Sequence, residues 1–236
     1  MFSESLPRRC PAAARGCTVA GRERANPGLH ESLLRRLPAD LADSASILDV
    51  GCGSGAWLAR LRAAGYRNLT GIDHDIAQTS LTDARIERVD LNHTDWSPLA
   101  GAFSLITAIE VVEHIENLGT FFNRLHHHLL DDGAILLTTP NIGSLAARLR
   151  FLLLNQLKQF DSLGDPTHLT PLVLATLPRL LQRHGLRIAA YWGFPEHGGT
   201  LTSRGWVSAL CAALRPVLPE SVPGDNLCMT LVKTRQ

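Results

Sequence analysis

The feature that most constrains this chain is a short apolar run followed by glycines at alternate positions. The run is Ile47–Val50, it carries Asp49 next to its end, and the glycines take every second position of Gly51–Gly55. A helical pattern begins at Ala56. An apolar strand that stops at a glycine-rich turn and opens a helix is the start of a β-α-β unit with a nucleotide-type ligand at the turn. Glycine permits the sharp turn and leaves room for a ligand beside the backbone.

The charge of Asp49 narrows the choice of ligand. Gly51, Gly53 and Ala56 also satisfy the looser dinucleotide fingerprint, and Asp73 lies about 20 residues further on, where a ribose-binding acid is expected. A dinucleotide would bring an anionic pyrophosphate to the turn, where Asp49 would repel it. S-adenosylmethionine has no phosphate and carries a sulfonium and an α-ammonium, both of which a carboxylate stabilises. The sequence therefore favours S-adenosylmethionine over NAD.

Several short motifs follow one another in an order that is familiar from one family. The segment Leu48–Gly55 resembles motif I of the class I, Rossmann-like, S-adenosylmethionine-dependent methyltransferases. The further segments that carry the resemblance, over roughly residues 46 to 141, are Gly71–Asp73, Val89–Leu91, Glu110–His114 and Thr138–Asn141. In these motifs the chain is most similar to ubiquinone-biosynthesis O-methyltransferases.

The predicted architecture is an α/β fold in which strands and helices alternate. The resemblance implies a doubly wound, mostly parallel sheet of seven strands with helical lid insertions. Apolar runs predict strands at Ser46–Val50, Leu69–Asp73, Ile86–Val89, Phe103–Ile109, Ala134–Thr138, Leu186–Tyr191 and Leu227–Val232. Helices are predicted at 27–37, 55–64, 76–81, 118–129, 142–160 and 170–184, with a turn at 131–133. One domain would span 26–236, with insertions at about 142–168 and 194–225, after a poorly ordered tail at 1–25.

The resemblance also implies most of the cofactor site. Asp73 would accept hydrogen bonds from both ribose hydroxyls, because a carboxylate has two acceptor oxygens and a vicinal diol has two donors. Asp90 would accept a hydrogen bond from the adenine amino group, and Leu91 would pack on the ring. The full set of predicted cofactor-binding residues is Asp49, Gly51, Cys52, Gly53, Asp73, Asp90, Leu91 and Ile109.

Acids and imidazoles that follow the fourth strand are candidates for metal binding and catalysis. Glu110, Glu113 and His114 would share one face of a helix and could hold Mg²⁺ or another divalent ion. Similar segments bind a metal in ubiquinone-biosynthesis O-methyltransferases and in small-RNA terminal 2′-O-methyltransferases. In other members of the wider family the acid lines the methionine pocket and the histidine supports the loop or acts as a base. His168 is a candidate fourth ligand or general base, so His114 and His168 are the predicted catalytic residues.

Composition limits the partners. A net charge of +1 over 236 residues gives no general field that would attract nucleic acid. Five widely spaced cysteines form no CxxC pair, and no secretory signal or spanning segment is apparent, so we expect a cytoplasmic protein. The amphipathic runs 142–160 and 203–218 could form a lid, and such a lid would favour a bulky, partly apolar acceptor. Helices packed on the sheet, or a homodimer interface, are favoured over contact with a membrane.

The function predicted from the sequence is therefore methyl transfer from S-adenosylmethionine to a small molecule, with oxygen as the expected acceptor atom. Three alternatives stay open. An RNA 2′-O-methyltransferase is disfavoured by the near-neutral charge, and an NAD oxidoreductase is opposed by Asp49. A methyltransferase-like protein that binds S-adenosylmethionine without turnover would keep the same cofactor residues.

Overall fold

The fold is built on one seven-stranded sheet. A computed structural model describes residues 23–79, 81, 83–93, 96, 99, 101–196, 205, 209–210, 213 and 223–234. The strands are β1 Ser46–Val50, β2 Asn68–Asp73, β3 Arg85–Arg88, β4 Phe103–Ile109, β5 Leu129–Pro140, β6 Leu186–Phe194 and β7 Asn226–Lys233. Their order is β3-β2-β1-β4-β5-β7-β6, and β7 runs in the direction opposite to the other six strands. The predicted doubly wound, mostly parallel sheet is confirmed.

Helices cover both faces of this sheet. They are α1 Leu29–Leu34, α2 Ala56–Ala63, α3 Leu118–His128, α4 Leu145–Leu154 and α5 Leu177–Arg183, with short 3₁₀ helices at Ile76–Gln78 and Val112–His114. Successive residues of a strand point to opposite faces, so β1 feeds two cores. Ile47 packs with side chains of α1 and α2, whereas Leu48 and Val50 pack with those of α3 and α5.

Several predicted boundaries differ from the structure, and three of the differences are informative. The turn predicted at 131–133 lies inside β5, which begins at Leu129 because this residue already pairs with Phe103 of β4; the register then shifts before the regular ladder. The helix predicted at 170–184 begins only at Leu177. Pro178 explains the delay, because proline has no N–H and fits a helix only in its first turn. Helix α4 ends at Leu154 instead of continuing to 160, and Asn155 caps it with a left-handed φ of 53°.

The N-terminal end of the described chain packs against α2. Glu23 lies within the predicted tail, yet its carboxylate is 2.7 Å from Arg60 Nη2 and 3.2 Å from His30 Nδ1. Residues 1–22, and most of the predicted insertion at 194–225 with its amphipathic run at 203–218, lie outside the described residues. Within the described part of the chain, no helix has the length and apolar character needed to cross a membrane.

Candidate cofactor and acceptor site

A cleft of about 1860 Å³ lies over the carboxyl ends of the central parallel strands, where open α/β sheets bind ligands. One side is the N-terminal wall, which consists of residues 24–26 and His30. Another side is the insertion wall, which is drawn from residues 149–169. Every residue predicted to bind cofactor, metal or acceptor lines this cleft: Asp49, Gly51, Cys52, Gly53, Asp73, Asp90, Leu91, Ile109, Glu110, Glu113, His114 and His168.

The loop after β1 needs its glycines for conformation and for space. Gly51 has a φ of +73°, and a Cβ there would lie 2.4 Å from Val111 Cγ2. Gly55 has a φ of +77°, and its Cβ would lie 2.9 Å from Leu81 Cδ1. Gly53 has a φ of +51°, but no described atom lies within 4 Å of the position of its Cβ. The loop is therefore closely packed at Gly51 and Gly55, and at Gly53 it leaves space for a ligand.

Asp73, at the end of β2, holds this loop in place. Its Oδ2 accepts a hydrogen bond from the Gly53 N–H at 2.8 Å, and its Oδ1 accepts one from the Asp75 N–H at 2.9 Å. A carboxylate has about four acceptor positions, so both oxygens can still accept from a ligand. The residue predicted to bind ribose thus also organises the glycine-rich loop.

Asp49 is a buried acid beneath the cleft. Its Oδ1 accepts a hydrogen bond from Thr107 Oγ1 at 2.7 Å, and only 3% of the residue is exposed. Burial raises the pKa of Asp49 to about 7, the Thr107 hydroxyl lowers it, and the charge of Asp73 raises it further. A ligand that brings positive charge to this position would reverse the shift and hold Asp49 ionised.

Asp90 and Leu91 follow β3 on the adjacent part of the cleft. The Asp90 Oδ1 accepts hydrogen bonds from the N–H groups of Asn92 and His93, and the Asn92 bond is the main reason that the pKa of Asp90 lies below its usual value. Arg124 Nη1 donates to the Leu91 carbonyl at 3.1 Å and fixes the backbone beside it. A turn acid held ionised in this way can accept a hydrogen bond from a ligand amino group.

Glu110 does not begin a helix, which corrects the predicted one-face arrangement of residues 110–114. Its φ is +55°, in the left-handed region, and the 3₁₀ helix begins two residues later at Val112. Thr138 fixes the strained residue, since its Oγ1 donates to Glu110 Oε1 at 2.8 Å and accepts from the Glu110 N–H at 3.1 Å. Burial raises the pKa of the Glu110 carboxyl to about 7.

Glu113 is a fully buried carboxyl, with 0% of the residue exposed. Neither carboxyl oxygen makes a hydrogen bond of regular geometry to any described residue. Burial, and then the charge of Glu110, raise the pKa of Glu113 well above its usual value. A carboxyl in such a place is either protonated or compensated by a cation.

His114 presents one ring nitrogen to the cleft in a defined tautomer. Thr167 Oγ1 donates its proton to Asp165 Oδ1 at 2.6 Å, so toward His114 this hydroxyl acts as an acceptor. His114 Nδ1 lies 2.9 Å from that oxygen and 3.1 Å from the Thr167 carbonyl, and both contacts require an N–H on Nδ1. Burial, together with His168, lowers the pKa of His114, so its neutral form carries a lone pair on Nε2.

His168 has the same arrangement. Its Nδ1 lies 2.8 Å from the Gln159 carbonyl, which can only accept, so Nε2 again carries the lone pair. The rings of His114 and His168 lie 4.8 Å apart, edge to face. One ligand atom each from Glu113, His114 and His168 falls within 4.8 Å of the other two. Glu110 lies outside this group, and its carboxyl is bound to Thr138.

The donor set of Glu113, His114 and His168 fits a metal ion. Imidazoles that bind a metal through Nε2 commonly donate Nδ1–H to a carbonyl, as both histidines do. Two imidazoles and one carboxylate suit a first-row transition ion better than Mg²⁺, which prefers oxygen ligands.

Comparison with known proteins identifies the family. Residues 22–191 match the methyltransferase domain family. The chain belongs to this family. A Mycolicibacterium smegmatis protein named "Probable S-adenosylmethionine-dependent methyltransferase" is 29% identical over 178 residues, which cover 70% of this chain and 64% of that protein. A ubiquinone biosynthesis O-methyltransferase from Rickettsia felis is 29% identical over 126 residues, 50% of this chain and 51% of that enzyme. The chain thus spans less than two thirds of the length of these curated relatives.

The fold of this methyltransferase domain recurs in solved structures. A crystal structure of an S-adenosylmethionine-dependent methyltransferase from Archaeoglobus fulgidus superposes with a TM-score of 0.63 at 20% sequence identity, covering 89% of this chain and 96% of that one. The expected class I, S-adenosylmethionine-dependent methyltransferase fold is confirmed. At this identity the likeness concerns the fold alone.

Several polar residues at the site of this methyltransferase domain are absent from the residues predicted from the sequence. Thr107 and Thr138 sit inside apolar strands, and a buried hydroxyl in such a strand needs a partner, which is a readable signal. Thr167 lies beside His168, and its contact with His114 depends on a fold of the insertion that no motif marks. Asn26 and Asn226 are bonded to each other across 200 residues, and nothing in the sequence links them.

Proposed function

We propose that this protein transfers the methyl group of S-adenosylmethionine to an oxygen of a small, partly apolar molecule. The observation that carries the proposal is the division of one cleft into two chemically different halves. Acids that suit a cationic cofactor lie at and around the glycine-rich loop, and a carboxyl with two imidazoles lines another part of the same cleft. The names of the relatives support the cofactor, and the acceptor follows from the second half of the cleft.

The cofactor half would bind by charge and by hydrogen bonding. Asp49 supplies negative charge near the sulfonium and α-ammonium, Asp73 accepts from the ribose hydroxyls, and Asp90 accepts from the adenine amino group. When bound, S-adenosylmethionine supplies an electrophilic methyl group whose leaving thioether is neutral. The chain therefore has to orient the acceptor for in-line attack and exclude water.

The other half would take the proton of the acceptor hydroxyl. In the neutral ring of each histidine, a carbonyl that accepts from Nδ1–H leaves the lone pair on Nε2. The Nε2 atom of His114 can act as general base, since the lowered pKa of His114 favours its neutral form near pH 7. The Nε2 atom of His168 is the second candidate.

We extend the proposal to a divalent ion held by Glu113, His114 and His168. An ion there would compensate the buried Glu113 carboxyl, whose oxygens make no hydrogen bond of regular geometry to a described residue. Because it would occupy the Nε2 lone pairs, the ion would replace the histidine base, and it would supply positive charge that lowers the pKa of an acceptor hydroxyl. Its natural test is anomalous scattering from crystals soaked in Mn²⁺. A peak between the three side chains is expected, and an ordered site without density at saturating ion contradicts the extension. Glu113→Gln should weaken Mn²⁺ binding, whereas the exposed Glu116→Gln should not.

An apolar acceptor is supported by the rim of the insertion wall. Leu153, Leu154, Leu163 and Leu169 line the cleft and are 74%, 60%, 81% and 56% exposed. Exposed leucines clustered at the mouth of a cleft mark a surface that a ligand can cover. The adjacent Leu152 is 79% exposed and does not line the cleft, so it serves as a matched control.

Binding of the cofactor is the first test. Titration calorimetry with S-adenosylmethionine and S-adenosylhomocysteine should give micromolar affinity, lost in Asp73→Ala and kept in Asp40→Ala, which changes an exposed acid outside the cleft. Absence of binding to the wild-type protein would refute the proposal.

Identity of the acceptor is tested with labelled methyl groups. The panel contains phenols, prenylated or alkylated phenols, sugars and RNA. Only the phenols, including the prenylated and alkylated ones, should accept labelled methyl groups. Leu153→Ser should raise the KM for alkylated acceptors, and Leu152→Ser should leave it unchanged. Label confined to RNA would establish the RNA methyltransferase alternative, and cofactor binding without transfer to any acceptor would favour the non-catalytic one.

A further inference from the structure

The turn formed by Gly224, Asp225 and Asn226, just before and at the start of β7, contacts both walls of the cleft. Asn226 is fully buried, and its Oδ1 accepts a hydrogen bond at 2.7 Å from Asn26 Nδ2 in the N-terminal wall. Asp225 is 2% exposed, and its Oδ1 lies 2.5 Å from Lys158 Nζ in the insertion wall. Neighbouring residues of one turn thus contact both the N-terminal wall and the insertion wall.

This turn has little freedom to move. The Asp225 carbonyl accepts from the Asn141 N–H at 2.7 Å, and the Gly224 carbonyl accepts from Asn141 Nδ2 at 3.1 Å. Gly224 has a φ of +84°, and a Cβ there would lie 2.3 Å from the carbonyl carbon of Phe194, so only glycine fits. A turn held by short contacts and close packing transmits displacement instead of absorbing it.

The same turn reaches the residues proposed to handle the acceptor. Lys158 is followed by Gln159, whose carbonyl accepts the Nδ1–H of His168 at 2.8 Å. Gln159 has a φ of +70°, so its carbonyl is aimed by a strained backbone that its neighbours must hold. Asn226 lies close enough to the Glu110 carboxyl to oppose the rise in its pKa caused by burial, although its buried Nδ2 makes no hydrogen bond of regular geometry.

We infer that Asp225, Asn226 and Lys158 are positioning residues that couple the two walls, so that closure of the N-terminal wall on the cofactor holds the Gln159 carbonyl against His168. The inference rests on the proposed function, because it assigns the N-terminal wall to the cofactor and His168 to the acceptor. Its chemical consequence is a fixed tautomer, with Nε2 of His168 kept free for the acceptor or the ion. Without the Lys158–Asp225 pair the Gln159 backbone relaxes, and His168 populates both neutral tautomers.

The test in the ligand-free protein is nitrogen-15 NMR of the His168 ring. The wild type should show the Nδ1–H tautomer. Lys158→Met should show a mixture of tautomers, while Lys158→Arg, which keeps the cation beside Asp225, should preserve the wild-type signature. Because Lys158→Met leaves Asp225 buried without its cation, its fold is checked first by circular dichroism. A pure Nδ1–H signature in a folded Lys158→Met variant would overturn the inference.

Hydrogen exchange in the full-length protein tests the coupling between the walls and does not depend on Lys158→Met. S-adenosylhomocysteine should slow exchange in peptides from both 23–30 and 156–170 of the wild type, the latter by about 5- to 100-fold, as expected for couplings of ordinary size. Asn26→Ala removes only the hydrogen bond between the N-terminal wall and Asn226. In this variant, S-adenosylhomocysteine should still slow exchange at 23–30 but should no longer slow it at 156–170.

The outcomes separate this inference from the proposed function. Binding of S-adenosylhomocysteine with equal protection of 156–170 in wild type and Asn26→Ala overturns the coupling and leaves the methyltransferase proposal intact. Absence of binding refutes the proposed function, and the tautomer of His168 in Lys158→Met still decides whether the lysine positions the ring.

Discussion

At the scale of single residues, Asp49 shows how burial and ligand charge act on one acid. The sequence places a carboxylate beside the glycines, and the charge argument for S-adenosylmethionine assumes that it is ionised. The structure buries it, with 3% exposure and one hydroxyl partner, and its pKa rises to about 7. The cofactor would therefore bind to a site that is partly protonated at neutral pH, and binding would release a proton.

A dependence of stability on pH follows from the same residue. The pKa of Asp49 is raised from 3.8 to about 7 in the folded state, so the stability it contributes is complete below about pH 4 and is lost as pH rises toward 7. Asp49→Asn removes this dependence. Between pH 5 and pH 7 the wild type should lose about 2 kcal/mol more unfolding free energy than the variant.

Urea denaturation of the cofactor-free proteins at the two pH values measures this difference. Thr107→Val, which removes the hydroxyl that favours ionised Asp49, is the matched comparison and should steepen the dependence instead of abolishing it. Parallel pH profiles for wild type and Asp49→Asn would show that Asp49 is already ionised in the folded protein.

Residue identity alone could not reveal the state of Glu110. Its place after an apolar strand and its spacing from Glu113 and His114 favoured a shared helical face. The left-handed φ of +55° separates Glu110 from the other two and turns it to Thr138, which lies 28 residues away. The structure places His168 beside Glu113 and His114, and its role as a ligand or base stays a prediction. The ordered motifs were readable because the cofactor chemistry is fixed, whereas contacts made by the insertion depend on its fold.

At the scale of elements, β1 and β4 match their predicted bounds because each is a dense apolar run that is buried between neighbouring strands. The predictions fail where pairing or proline geometry decides. Asp131 and Asp132 belong to a turn by composition, yet they lie within β5, at the irregularity where its register with β4 shifts. The local sequence predicts well which residues are buried. It predicts poorly where a strand begins, because that depends on pairing with a neighbouring strand.

The packing of β2 against the glycine-rich loop gives a second prediction. A Cβ on Gly71 would lie 2.8 Å from Cys52 Sγ, 2.8 Å from Leu58 Cδ1 and 2.9 Å from Ile86 Cδ1. These atoms belong to three different elements, so Gly71→Ala should cost about 1–3 kcal/mol through overpacking. Because Cys52 lies in the loop, cofactor affinity should fall as well.

Gly143→Ala is the control for this substitution. Its Cβ would meet one atom, Asn141 Oδ1, at an ordinary 3.4 Å, so urea denaturation and calorimetry should give values near wild type. Equal stability of Gly71→Ala and the wild type would show that α2 and β3 yield to the added methyl group without cost.

At the scale of the whole molecule, the cleft joins parts that are distant in sequence. Its N-terminal wall includes Asn26, its floor follows β1, β2 and β4, and its insertion wall ends near His168. The hydrogen bond from Asn26 to Asn226 closes this arrangement across 200 residues. A ligand that touches both the glycine-rich loop and the walls would therefore stabilise most of the described fold, and not the loop alone.

Global thermal stability should report that effect. A ligand at about 100 times its Kd stabilises a folded protein by about 2.7 kcal/mol, which raises the Tm of a protein of this size by about 5–10 °C. We expect that shift with S-adenosylhomocysteine, and none in Asp73→Ala, whose loop loses the acceptor for the Gly53 N–H. NAD at the same concentration should leave the wild-type Tm unchanged, because Asp49 opposes a pyrophosphate at the turn. A shift with NAD and none with S-adenosylhomocysteine would reverse the assignment of the cofactor and restore the oxidoreductase alternative.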